Sequence, residues 1–195
     1  MIDIEPLSPN HIKDLLHRWV SNTFQLKDTD ILINELGFYN KDTESTIDNS
    51  FRADVALANG RLVGFEIKSE KDSLKRWPSQ MSAYTNVFDE VWLCTHAKHL
   101  ECALKITNKN IGILLVDSLG SIAVVRNAKE AGSLNNVYDL SGLLWKDEIV
   151  DLANKYNIKV KTRTTKREIR ELLADILNVE QVRPFVLERL KVRKS

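Results

Sequence analysis

Cysteine is scarce. Cys94 and Cys102 are the only two in 195 residues and lack C-x-x-C spacing, which argues against a disulfide framework and a zinc site. Both read as small core residues in a reducing compartment. Seven glycines and four prolines are too few for a fibrous or low-complexity chain, and no internal repeat is present. No apolar run reaches membrane-spanning length, and the acidic start Met1-Ile2-Asp3-Ile4-Glu5-Pro6 lacks a basic stretch followed by an apolar one. A soluble, cytoplasmic protein with no membrane partner is expected. An excess of one charge is missing too: 28 Lys and Arg stand against 27 Asp and Glu. Any nucleic-acid contact must therefore come from a local patch rather than from net charge.

With 43% apolar residues the chain can bury one α/β core of ordinary size plus a small appendage. Ser8-Pro9 opens an amphipathic helix through Ile12, Leu15, Leu16, Trp19 and Val20, with His11 and His17 on its polar face. Asp28 or Asp30 is expected to cap a second helix through Ile31, Leu32, Ile33, Leu36 and Phe38 that carries Glu35. Residues 41–50 read as a polar loop. Leu74, Trp77, Met81, Tyr84 and Phe88 mark a further helix, which begins either at Asp72 or near Pro78. Strands are expected at 90–95, 111–116 and 121–125, with a helix at 99–106 between the first two. The pattern implies a core at 1–130 with a mixed central sheet flanked by helices, a linker at 131–140, and a helical C-terminal segment at 141–195. In that segment Thr165 and Glu168 have capping-box spacing, and Pro184 is expected to open the last helix.

The most informative stretch is 52–68. Two alternating runs flank Asn59-Gly60, so a β-hairpin is expected, and its strands carry Asp54, Glu66 and Lys68 where a structural hairpin needs none of them. Mg²⁺ takes hard oxygen ligands and needs only one or two carboxylates beside water. Asp54 and Glu66 are the candidate ligands, with the Ile67 carbonyl as a third. Lys68 shares a strand face with Glu66, where it could orient a water or stabilise charge on a phosphate. Parity sets a condition. A two-residue turn would pair Asp54 with Phe65 and separate the carboxylates, so the reading requires a three-residue loop or an irregularity further down.

Arg52-Ala53-Asp54, Glu66-Ile67-Lys68 and Gln80-Met81-Ser82-Ala83-Tyr84, taken in order, resemble the PD-(D/E)XK nuclease superfamily and its RecB-like Q-x-x-x-Y subset. More narrowly they resemble a group of bacterial and phage proteins in which the ExK strand is followed by a stretch like Asp72-Ser73-Leu74-Lys75-Arg76. The resemblance covers about residues 30–126, with Ala53 standing where the family name has proline. It implies a restriction-endonuclease-like core, Mg²⁺ or Mn²⁺ as cofactor, and a metal-dependent deoxyribonuclease, with endonuclease action and DNA as substrate ahead of RNA. It further implies Asp54, Glu66 and Glu35 as metal-binding acids, Lys68 as catalytic, and Gln80 and Tyr84 beside the site. Arg76 is a candidate phosphate contact.

A second signal lies at Lys155, Lys159, Lys161, Arg163, Lys166, Arg167 and Arg170, which crowd one connection and the helix start after it. Cations at a helix N-terminus suit phosphate, so Lys166, Arg167 and Arg170 are candidate DNA contacts. The alternative to a nuclease is a non-catalytic nucleic-acid-binding or protein-interaction module on the same fold.

Overall fold

The computed structural model describes residues 7–42, 44–45, 47–130 and 136–193. Helix α1 (Pro9–Phe24) starts where Ser8 Oγ accepts the His11 N–H at 3.2 Å, and its buried stripe is Ile12, Leu16 and Val20. Six strands follow in one sheet: β1 (Ile31–Asn40), β2 (Asn49–Ala58), β3 (Leu62–Lys68), β4 (Glu90–His96), β5 (Gly112–Val116) and β6 (Ile122–Arg126). Their spatial order is their chain order. The β3–β4 and β4–β5 pairs are parallel and the remaining pairs antiparallel. Parallel neighbours need a crossover, and α2 (Trp77–Val87) and α3 (Leu100–Ile106) supply the two.

The second expected helix is instead β1. Its apolar residues fit either period, and pairing decides: Ile31 through Asn40 register against β2, and Phe38 stacks on Phe51 at 5.7 Å. Glu35 is therefore a strand residue, with a left-handed φ of 55°. Residues 49–50 likewise belong to β2 rather than to a loop. Helix α2 takes the later of the two expected starts, with Pro78 in its first turn behind a 3₁₀ turn at Leu74–Arg76. Cys94 is buried as expected, whereas Cys102 is exposed.

Helix α1 covers one sheet face, packing on Val55, Leu57, Val63, Phe65, Ile67 and Cys94. The opposite face shares one apolar cluster with α2, α3 and four C-terminal helices: α4 (Val137–Ser141), α5 (Lys146–Lys155), α6 (Lys166–Ile176) and α7 (Val179–Val192). Of the expected linker, 131–135 lie outside the described residues, and α4 falls in the rest with all five of its residues buried. Helix α7 is capped by Asn178, whose side chain accepts the Gln181 N–H at 3.0 Å, so Pro184 lies within the helix rather than at its start.

Candidate functional site

The hairpin satisfies the parity condition. Ala58 pairs with Leu62, leaving Asn59-Gly60-Arg61 as a three-residue loop closed by Asn59 N–H donating to the Arg61 carbonyl at 3.1 Å, with Gly60 at φ 97°. Only glycine takes that φ at no steric cost. The β2–β3 ladder runs to Val55 opposite Phe65, so Asp54 and Glu66 are next in line on adjacent strands. An irregularity further down is present too. Asn34 and Val55 pair, as do Leu36 and Ala53, yet Val55 packs towards α1 while Leu36 and Ala53 pack on the opposite side. Glu35, at φ 55°, and Asp54 lie opposite each other between these pairs, where the side-chain alternation changes although the register does not. Set opposite Glu66 by the three-residue loop, Asp54 turns its carboxylate to the β3 backbone and accepts the Ile67 N–H at 2.7 Å.

A cleft of about 550 Å³ opens here, lined by Lys13, Glu35, Arg52, Asp54, Glu66, Lys68, Arg76 and Gln80 among others. Glu66 and Lys68 are buried at its floor. Glu66 Oε1 accepts from Lys68 Nζ at 2.5 Å and from Gln80 Nε2 at 2.8 Å, while Oε2 accepts the Tyr84 hydroxyl at 2.6 Å. Lys68 also donates to Gln80 Oε1 at 3.1 Å, so four side chains from β3 and α2 close one network. Gln80 and Tyr84 reach it together because residues four apart share a helix face. Tyr84 additionally packs edge-on against Phe38 at 5.2 Å and Trp77 at 6.2 Å. Burial first, and then the Glu66 charge, push its phenol well above the ordinary range. Burial also dominates at Asp54, with Glu66 adding repulsion, and together they raise that carboxyl from 3.8 to about 6 despite the Ile67 hydrogen bond.

The structure thus brings Asp54, Glu66, Ile67, Lys68, Gln80 and Tyr84 together. Glu35 lies at the cleft rim, where Lys13 and Arg52 pair with it, Arg52 Nε at 2.6 Å. The sequence reading missed Lys13 and Arg52. Among the described residues no three His, Cys, Asp or Glu side chains converge as a ready metal-ligand group.

The basic candidates separate. Arg76 is exposed at the cleft. Lys166 lines a second pocket, and Arg167 donates to the Ser45 and Asp42 carbonyls at 2.9 and 3.2 Å. Arg170, expected to face DNA, is instead 2% exposed. It pairs with Asp48 and donates to the Tyr138 and Tyr39 carbonyls at 2.9 and 3.0 Å. It joins the C-terminal helices to the sheet, and its burial rules out the DNA-facing role.

Fold and cleft together define a mixed α/β protein whose central polar site is a buried, internally satisfied network. The chain belongs to the bacteriophage P4 protein cII family, whose model matches residues 5–195. Protein cII of Enterobacteria phage P4 is 32% identical to it over 192 residues, covering 97% of this chain and 69% of that protein. No solved structure matches. Membership of this family corrects the resemblance to PD-(D/E)XK nucleases, and with it the reading as an endonuclease or other hydrolase. The match runs through nearly the whole chain, whereas the nuclease likeness rests on short motifs. Glu66 and Lys68 share a face by strand parity and Gln80 and Tyr84 by helical period, so those spacings also arise in a paired structural network. Among the described residues no helix is long and apolar enough to cross a membrane.

Proposed function

We propose that this chain is a non-catalytic nucleic-acid-binding module that grips the phosphate backbone through the connection between α5 and α6. One observation carries the reading. Residues 155–167 contain Lys155, Lys159, Lys161, Arg163, Lys166 and Arg167 and no acidic residue, in a chain whose charges nearly balance overall. Lys159, Lys161 and Arg163 are exposed, and none of the three pairs with a carboxylate among the described residues. Unpaired surface cations on a turn between rigid helices suit counterion-releasing contact with phosphates.

Because α4–α7 share the core, substitution rather than deletion is the test. The triple variant Lys159→Ala, Lys161→Ala, Arg163→Ala is expected to bind a labelled DNA more weakly at roughly 50–100 mM salt by fluorescence anisotropy. Its slope of log affinity against log salt should be shallower by about 0.7–0.9 for each phosphate the variant no longer neutralises. Equal affinity and slope in variant and wild type would refute the assignment.

For the cleft we propose a divalent cation, Mg²⁺ or Mn²⁺, as a structural ion. Asp54, Glu66 and the Ile67 carbonyl would hold it. Two carboxylates satisfy what Mg²⁺ requires of a protein, and the elevated Asp54 carboxyl is a charge that a cation would stabilise.

A further inference from the structure

A second pocket, of about 340 Å³, lies between β1 and the helices that follow residue 136. It is at the small end of the range for ligand sites. Two aromatic rings line it and remain partly in solvent, Tyr39 at 41% and Trp145 at 59% exposed. Each already carries a cation: Lys166 Nζ lies 5.4 Å from the Tyr39 ring centre, and the Arg193 guanidinium 4.3 Å from that of Trp145. Gly37 forms part of the wall in the interior of β1, opposite Arg52. Nothing lies within 4 Å of where its Cβ would stand, so packing does not account for a residue that weakens a strand. Space left beside a strand glycine admits a flat ligand.

The electrostatics agree with that geometry. Lys166 is held beside Gly142, donating to its carbonyl at 2.9 Å, and burial first, then the Arg170 and Arg193 charges, lower its ammonium from 10.5 to about 8. Arg193 is already paired with Glu148, and Glu35 adds a carboxylate to the lining, so Lys166, which forms no salt bridge among the described residues, is the cation left to meet an anion at the mouth. Lys166 is also the first residue of α6, directly after the basic connection, so a backbone held by Lys159, Lys161 and Arg163 leads towards the pocket.

We propose that this pocket receives one unpaired nucleobase, stacked against Trp145 or Tyr39, with its phosphate at Lys166. The inference rests on the nucleic-acid reading of the basic connection and adds to it a preference for single strands over duplex. Aromatic platforms bordered by cations accept any base, so little sequence preference is expected.

The test titrates the full chain with a fluorescein-labelled oligothymidine of about 12 nucleotides, and separately with its duplex with oligoadenosine, at one fixed salt concentration. Wild type is expected to favour the single strand. Gly37→Leu, which fills the pocket without removing a charge, and Trp145→Ala should each weaken single-strand binding about tenfold and leave duplex binding within twofold, with Trp145→Phe restoring most of the loss. Thermal melts establish that the variants are folded. If folded Gly37→Leu and Trp145→Ala bind the single strand as wild type does while the triple variant of the basic connection binds weakly, the pocket assignment is overturned and the wider reading stands. If wild type binds neither probe, both are overturned.

Discussion

Replacing Asp54 by asparagine should make this protein more stable at neutral pH. The Asp54 carboxyl titrates near 6 in the folded protein against 3.8 ordinarily, raised by burial and by Glu66. A carboxyl raised on folding takes up a proton as the chain folds. Its contribution is therefore fully present below about pH 3.8 and is lost as pH rises through about 6. At about 1.4 kcal/mol per pH unit, the ionised group costs at most about 3 kcal/mol at pH 7.5. Asparagine keeps an oxygen that can accept the Ile67 N–H, so about 1–2 kcal/mol of this should appear as a gain, or roughly 3–6 °C in Tm. At pH 4.5 the gain should shrink to roughly a third, because the folded carboxyl is then protonated while the unfolded one is still largely ionised. Urea denaturation of both proteins at the two pH values, followed by circular dichroism, measures the difference. A second arm adds Mg²⁺, which should stabilise wild type and not the asparagine variant if the cleft takes the ion. A destabilised variant at pH 7.5, or the same difference at both pH values, would refute the account of Asp54.

Two further substitutions probe buried charge. Lys68→Met strands the Glu66 carboxylate, 3% exposed, with only Gln80 and Tyr84 as donors. It should cost about 3–5 kcal/mol by chemical denaturation, while the double variant with Glu66→Gln should recover much of that loss; a single variant no worse than the double would contradict the network. Arg170→Met removes the Asp48 pair and two hydrogen bonds to carbonyls that tie α6 to β1 and α4, and should cost a similar amount. Hydrogen exchange should then rise first in α4 and α6, and a loss below about 1 kcal/mol would show that the joint is dispensable.

Much of the scaffold can be read from local signals. Ser8-Pro9, the Thr165 capping box and the alternation around Asn59-Gly60 each act over a few residues, and each forms its element where expected. Residues 31–38 mislead because Ile31, Leu32, Ile33, Leu36 and Phe38 satisfy a helical stripe as well as a strand. What decides between them is the partner strand, which lies from 13 (Phe38 to Phe51) to 27 (Ile31 to Ala58) residues away in sequence. Arg170 misleads for the same reason. A cation one turn into an amphipathic helix looks solvent-facing until Asp48 and the Tyr39 carbonyl are brought against it. At the cleft, parity alone brings Glu66 and Lys68 to one face, and a single extra loop residue brings Asp54 to them. Lys13 and Arg52, which neutralise Glu35, carry no motif and become visible only once α1 crosses the sheet.

The Asn59-Gly60-Arg61 loop has a consequence for how the chain folds. Shortening it by one residue would advance β3 against β2 and turn Glu66 and Lys68 towards Phe24, Trp92 and the α1 side, while Phe65 and Ile67 would face the cleft. That apolar layer offers the Glu66–Lys68 pair no further donor or acceptor, so the misregistered hairpin would lose the Gln80 and Tyr84 bonds and bury the pair with its remaining hydrogen-bonding capacity unmet. The polar network therefore favours one register over the other: the alignment with the three-residue loop is the one in which Gln80 and Tyr84 of α2 meet Glu66.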